Sequence, residues 1–402
     1  MNHSTFSRRD LLKHTAAGAA GIALASAMRP ALADAVASSP VSQSPATLRW
    51  GIIGTGTRGA STHIPVLKEA PESQIVALCD VSEKRLAAAA SKVGGTTATY
   101  SDYQKLLASP DINAVVIAAP NLFHREMLLA AIQAGKHVLC EKPAGVGPAD
   151  AAAMKRAVDA SKTLVMFGMQ YRNNAQPRKI AEMIAAGDIG KPRYIVQNCS
   201  RGDWNTSPNV WQYADPKLGG KPMNWRFSHA ASGGTLNEFD CHYFDILHWL
   251  AGSTPEQISC EGGISVYHDG RDTWDHASVT LRYPNDVTAV HTLCLFGPGR
   301  ADLSVTGEEG AIETAGDSLR FTRFAKRGAG KSRVEDVRPA IPPGHSADHS
   351  TLGLYEDFLA CIKTGKKPEA GVDRAVAASR TCWLAELASE RKAAVKWDEI
   401  AA

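Results

Sequence analysis

The chain has 402 residues, of which 44% are hydrophobic and 21% charged, and it carries a formal net charge of +3. That is the composition of an ordinary globular protein long enough to bury a sizeable core, and the charge balance gives no reason to expect a nucleic-acid binder. Beyond the N-terminus no segment approaches 18 consecutive apolar residues, which argues against a stable membrane span.

The chain opens with Arg8-Arg9 inside Ser7-Arg8-Arg9-Asp10-Leu11-Leu12-Lys13, followed by a weakly apolar stretch from Thr15 to Met28 and the small-residue site Ala31-Leu32-Ala33. Basic, apolar and cleavage regions in that order read as a twin-arginine signal peptide over residues 1–33. The expected consequence is delivery by the twin-arginine export machinery to the periplasm. Residues 34–46 are rich in Ser, Pro and Ala without periodicity, so a flexible linker is expected there.

From Thr47 short apolar runs alternate with helical patterns: Leu48–Ile53, a helix near 61–70, Gln74–Leu78, a helix over 82–93, then Ala114–Ala119 and His137–Cys140. This alternation predicts βαβ units and a parallel sheet over residues 47–168. The first run leads into Gly54-Thr55-Gly56-Thr57-Arg58-Gly59. Glycines there permit a tight turn and close approach of the backbone to a pyrophosphate, at a helix N-terminus that offers free N–H groups to negative charge. Asp80, 21 residues beyond Gly59, ends the next strand, where a carboxylate accepts from a ribose diol. It would repel a 2′-phosphate, so NAD is favoured over NADP.

Ligands of open α/β sheets bind beyond the carboxyl ends of the strands. Pro120, Asn121 and His124 after one strand, and Glu141 and Lys142 after the next, are therefore expected around the nicotinamide end of the cofactor. Lys142, fixed by Pro143, is suited to lower the pKa of a substrate hydroxyl.

After Gly168 the texture changes to longer strands, including Arg193–Cys199 and the alternating run Ala277–Tyr283, which Pro284-Asn285-Asp286 turns into Val287–Leu293. An antiparallel sheet is expected, in a second domain over 169–402 whose terminal helices are free to pack back on the first. Within it Gly233-Gly234 leads to Glu238, His242 and Asp245. On a helix Glu238 and His242 share one face, which pairs a carboxylate with an imidazole suited to general-base work. The eight cysteines include no Cys-x-x-Cys and read as free thiols, with pairing among Cys199, Cys260, Cys294 and Cys361 left open. Asp275-His276 and His345/His349 lack a ligand cluster, so no metal is expected.

Together the leader, the glycine fingerprint, Pro120-Asn121-x-x-His124, Glu141-Lys142-Pro143, Gly168-Met169-Gln170-Tyr171-Arg172 and the Gly-Gly to His242-x-x-Asp245 run resemble the Gfo/Idh/MocA oxidoreductases, in their exported twin-arginine branch. The resemblance implies an N-terminal Rossmann domain followed by a C-terminal α/β domain built on an open, mainly antiparallel sheet. It also implies that Lys142 and His242 are catalytic, that Gln170, Arg172 and Trp204 or Trp225 contact sugar, and that the sheet is an association surface for a homo-oligomer. Asp245 joins the expected substrate contacts. Where many members have Asp four residues before the histidine and Gly two before it, this chain has Glu238 and Asp240.

The expected activity is oxidation of a carbohydrate or polyol hydroxyl with a tightly held cofactor. The alternatives are an NAD-dependent glycosidase or epimerase without net redox change, and a non-catalytic sugar or nucleotide sensor.

Overall fold

A computed structural model describes residues 47–202, 210–326, 331–341 and 350–401. The expected leader, the linker, Trp204, His345 and His349 lie outside the described residues.

Strands β1 (Leu48–Ile53), β2 (Ser73–Cys79), β3 (Ala98–Tyr100), β4 (Ala114–Ile117), β5 (His137–Cys140) and β6 (Val165–Phe167) form a sheet in the order 3-2-1-4-5-6. Every neighbouring pair in it is parallel. Helices α1 (Ile64–Glu69), α2 (Glu83–Val93), α3 (Tyr103–Leu107), α4 (His124–Gln133) and α5 (Pro148–Asp159) are the crossovers. The strands are apolar without alternation because both faces are covered, and all four residues of β4 are fully buried. Strand order reverses between β1 and β4, which opens a crevice beyond their carboxyl ends.

Next come α6 (Ala175–Ala185), β7 (Pro192–Ser200), a small ribbon of β8 (Gln212–Ala214) and β9 (Pro222–Asn224), α7 (His229–Ser232) and α8 (Cys241–Ala251). Strands β10 (Gln257–Gly263), β11 (His276–Arg282), β12 (Thr288–Cys294), β13 (Arg300–Gly307), β14 (Gly310–Ala315), β15 (Ser318–Arg323) and β16 (Arg333–Val337) follow, then α9 (Ser350–Thr364), α10 (Val372–Arg391) and β17 (Val395–Lys396). The second sheet runs 16-15-14-13-7-12-11-10-17. It is antiparallel except for the β7–β12 pair. Along β11, Ala277, Val279 and Leu281 are buried beneath the helices while Ser278, Thr280 and Arg282 are exposed. That is the expected alternation for a sheet with one wet face. The hairpin turn to β12 places Asp286 at φ 62°, a conformation Asp tolerates.

Helix α8 is buried on nearly all sides between this sheet and α10, which fixes its N-terminal end against the crevice. Helix α9 returns to the first sheet: Trp50 of β1 meets Tyr355 edge-on (centroids 5.3 Å apart, 89°) and Phe358 (5.0 Å). Trp50 is fully buried, and its removal to Ala would cost about 3–5 kcal/mol. All eight cysteines are free thiols, six of them buried.

Two helix starts depart from the expected α-helical period. Gly59–His63, ahead of α1, and Leu236–Asp240, ahead of α8, are single π-turns closed by Ile64 N–H to Gly59 O and Cys241 N–H to Leu236 O. Five residues of wider turn redistribute side chains that a 3.6-residue period would align.

Candidate active site

A cleft of about 730 Å³ runs from the glycine loop to the N-terminal end of α8. Its cofactor end is shaped by the backbone. Gly54 has φ +93°, and a Cβ there would lie 2.6 Å from Ala118 O; a Cβ on Gly59 would lie 2.0 Å from Gly54 O. Both glycines are required by the protein's own packing. Gly56 differs, since a Cβ there would meet no atom within 4 Å. The free space at Gly56 is where a bound group approaches the backbone, which fits the second glycine of a dinucleotide fingerprint.

Asp80 is held by the same loop. Its carboxylate accepts from the Thr55 N–H (2.9 Å) and hydroxyl (3.1 Å), the Ser82 N–H (2.8 Å) and the Arg85 guanidinium (3.1 Å). Ser82 also caps α2, as its sequence position suggests. Gly54, Gly56, Thr57, Arg58, Asp80, Pro120, Asn121, His124, Glu141 and Lys142 all line the cleft, whereas Gly59 packs behind it.

Several of these residues hold one another. Glu141 accepts from Arg58 Nε (2.6 Å) and His63 Nε2 (2.9 Å), and His63 Nδ1 lies 2.7 Å from the Tyr355 hydroxyl of α9. Burial would raise the Glu141 carboxyl, but Arg58 and His63 outweigh it and hold the group well below the usual carboxylate range. Burial pushes the His63 imidazole down, so the neutral ring donates from Nε2 to Glu141 and accepts from Tyr355. The Gln170 amide, oriented to satisfy both its ends, accepts from Arg58 Nη2 at 2.9 Å and donates to Gly168 O. His124 lies 3.0 Å from Ala119 O and 3.1 Å from Pro143 O, strapping the turn after β4 to the turn after β5. Asn121 Nδ2 donates to Ser232 O (2.8 Å).

At the far end stands Lys142, followed by a cis peptide bond to Pro143. Its Nζ donates to the Glu238 carbonyl and lies 3.6 Å from Glu238 Oε1. The same Oε1 accepts from Arg226 Nε at 3.0 Å. His242 lines this end, stacked on Tyr171 with centroids 4.2 Å apart and planes at 14°. Burial, and then the proximity of Lys142, hold its imidazole well below the ordinary histidine range. The ring is therefore neutral and able to accept a proton.

The expected Glu238–His242 pair does not form. Both residues reach the cleft, but Glu238 binds Lys142 and Arg226, and His242 Nδ1 is buried without a hydrogen-bond partner among the described residues. The π-turn also resolves the place of Asp240, which points away from the cleft to His291 of β12 (3.3 Å), both side chains fully buried. Burial raises the Asp240 carboxyl.

Two expected substrate contacts are corrected. Arg172 grips Asp245 through Nε (2.5 Å) and Nη2 (2.8 Å), reaches Glu369 (3.1 Å) and stacks on Trp249. Arg172 and Asp245 are 2% and 3% exposed and neither lines the cleft, because each charge neutralises the other inside the second domain. Gln170 and Trp225 do line it. Sequence reasoning missed Tyr171, Trp211 and Arg226, which also line the cleft. Tyr171 sat inside a quoted motif, whereas the others belong to no pattern.

Asp275 accepts from the N–H groups of Ser265 (3.0 Å), Val266 (2.7 Å) and Tyr267 (3.0 Å) and from His276 (2.9 Å). Burial would raise its carboxyl, but these donors hold it at about 2, as befits a loop cap. Among the described residues no group of three or more His, Cys, Asp or Glu is placed to hold a metal, and no helix is long and apolar enough to cross a membrane.

Residues 48–169 match the oxidoreductase family with an NAD-binding Rossmann fold, and residues 178–313 match the GFO/IDH/MocA C-terminal domain. A myo-inositol 2-dehydrogenase of Thermotoga maritima is 26% identical over 88% of this chain and 99% of its own length. The 1,5-anhydro-D-fructose reductase of Ensifer adhaerens is 31% identical over 66% of this chain and 74% of its own. A solved structure of levoglucosan dehydrogenase in complex with NADH and L-sorbose is 21% identical, with a TM-score of 0.75, covering 89% of this chain and 100% of that one, a likeness of fold. With a glycine loop that leaves room for a dinucleotide and Lys142 and His242 at the end of the same cleft, the chain belongs to the Gfo/Idh/MocA family of oxidoreductases and is an enzyme with NAD as its cofactor.

Proposed function

We propose that this enzyme oxidises a hydroxyl of a carbohydrate or polyol in the periplasm, passing the hydride to a cofactor that it retains and that a second, reducible substrate reoxidises on the enzyme before the next turnover. The observation that carries the reading is the meeting of Lys142 and neutral His242 at the end of the dinucleotide cleft. Gly54, Gly56, Thr57, Arg58 and Asp80 would hold the dinucleotide, which when bound supplies the hydride acceptor. Lys142 Nζ, fixed by the Glu238 carbonyl and carboxylate, polarises the hydroxyl oxygen, and the His242 imidazole takes the hydroxyl proton. Arg226 shares the charge of Glu238, so Lys142 is oriented without being locked in a private ion pair. The 1,5-anhydro-D-fructose reductase and the inositol and levoglucosan dehydrogenases among the relatives act on sugars or cyclic polyols, which supports the substrate class.

Lys142→Met should abolish turnover while NAD still binds; full activity in that variant overturns the assignment. Product analysis separates oxidation of one substrate, in which keto-sugar appears with an equal amount of the reduced second substrate, from a redox-neutral reaction that releases free sugar or an epimer.

Location and cofactor retention rest on the Arg8-Arg9 leader. The twin-arginine route carries folded proteins, so the nucleotide is loaded before export. Replacing Arg8 and Arg9 by Lys should remove the protein from the periplasmic fraction, and denaturing purified enzyme should release bound NAD. The proposal extends to a homo-oligomer through the outer face of the nine-stranded sheet, where Tyr194 is 45% exposed; a monomeric mass in solution overturns that part.

A further inference from the structure

The ribbon of β8 and β9 carries two tryptophans at one end. Gln212 pairs with Asn224, and one step further out the Trp225 N–H donates to Trp211 O at 3.3 Å, so the two indoles flank the same end of the hairpin. Both line the cleft. They differ in what they touch. Trp225 is 6% exposed and stacks on the Arg226 guanidinium (4.4 Å), which binds Glu238, which binds Lys142. It belongs to the wall around the reacting carbon.

Trp211 stands outside that chain of contacts and is half-exposed. Its neighbour from the first domain is Phe123, edge-on at 5.6 Å, carried on the turn between Pro120 and His124. Its neighbour on the ribbon is Tyr213, at 5.8 Å. The ribbon is pinned where it meets the rest of the domain: Asp215, 1% exposed, accepts from the Ser228 hydroxyl and from the Lys217 N–H (2.9 Å). A large, half-exposed aromatic surface is thus held on the cleft wall, outside the run of contacts that joins Trp225 to Lys142.

We propose that Trp211, with Phe123, is a platform for a second ring, so that the substrate is a glycoside, a sugar bearing a second sugar or a ring aglycone, and not a free monosaccharide or cyclic polyol. The inference rests on the carbohydrate reading above and narrows it. A single ring that presents its carbinol to Lys142 and His242 would lie against Trp225 and leave Trp211 uncovered. A ring joined to it through a glycosidic oxygen extends toward Trp211, where its apolar C–H face covers the indole and its hydroxyls stay in water.

The test compares kcat/KM for glucose, galactose and myo-inositol with that for cellobiose, lactose and the p-nitrophenyl β-glycosides of glucose and galactose, in wild type, Trp211→Ala and Trp211→Phe. NAD binding by each variant confirms that it is folded. Wild type should prefer the two-ring compounds, and Trp211→Ala should lose about tenfold or more on them, mainly in KM, with single-ring substrates unchanged and Trp211→Phe retaining most of the preference. Equal use of one-ring and two-ring compounds by wild type, or an equal loss on both in Trp211→Ala, overturns the platform and leaves the dehydrogenase reading intact. If no sugar of either size reduces the cofactor in wild type, both readings fall.

Discussion

The two ends of the cleft are built on opposite terms, although each begins at a π-turn. At Gly59–His63 the shape comes from what is absent: Gly54 and Gly59 have no room for a Cβ, and Gly56 leaves room for a ligand. At Leu236–Asp240 it comes from what is displayed, as one irregular turn sends Glu238 toward Lys142 and Asp240 toward His291. The cofactor end is specified by a few neighbouring residues in one stretch of chain. The chemical end is assembled from separate segments around residues 142, 171, 225–226 and 238–242. The first kind of site is therefore written in local sequence, and the second in contacts that only folding creates.

Arg172 and Asp245 are charged residues of the chemical half that take no part in its cleft. Arg172→Leu strands a buried carboxylate, which should cost about 3–5 kcal/mol in denaturant unfolding. Replacing Asp245 by Leu in the same chain should recover much of that loss. A stable Arg172→Leu enzyme whose only defect is a raised KM would instead restore Arg172 as a sugar contact.

The glycines divide the cofactor half in the same manner. Gly54→Ala forces φ +93° on a residue with a Cβ aimed at Ala118 O, so it should lower stability by about 2–3 kcal/mol and abolish NAD binding. Gly56→Ala should unfold like wild type and yet bind NAD about tenfold more weakly, by calorimetry. Equal stability losses in the two variants would contradict the assignment of Gly56 to the ligand.

These cases show what was legible in the chain. The Rossmann half, the glycine loop, Asp80 with its neighbour Ser82, and the placing of Lys142 followed from short apolar runs and local motifs. Arg172 and Asp245 were misread because two charges 73 residues apart neutralise one another only in space. The π-turns were invisible because five residues are too few to reveal a period of their own, and the expected Glu238–His242 pair failed for that reason. Trp211 and Arg226 flank strands of three residues, too short for alternation to show.

Acid should expose the next contrast. His63, His124 and His242 are buried with depressed basicity, and His248 is pushed down to about 3. Each takes up a proton more readily when unfolded, near the ordinary histidine value of about 6.5, so stability should be full above that pH and fall as pH drops below it. Each imidazole contributes about 1.4 kcal/mol per pH unit until its folded pKa is reached. Glu141, with its carboxyl depressed, adds a further loss only below about pH 4.5. Unfolding midpoints from pH 7.5 to 5 should therefore decline before Glu141 titrates, by less than the four imidazoles alone would give because the raised His229 imidazole and the raised Asp240 and Asp245 carboxyls act in the opposite direction.

The smallest expected effect lies at Tyr171, whose ring covers one face of His242. Nothing on His242 Nδ1 fixes the imidazole among the described residues, so the stack at 14° is what holds its plane. Tyr171→Leu removes a contact worth about 0.5–1.5 kcal/mol, which lets the imidazole rotate and should lower kcat by up to about tenfold with KM for sugar and Kd for NAD unchanged. Tyr171→Phe keeps the stacked ring and should keep kcat. If the two variants lose activity alike, the hydroxyl and not the stack is the functional part, and Tyr171 would join Lys142 and His242 among the groups that touch the substrate.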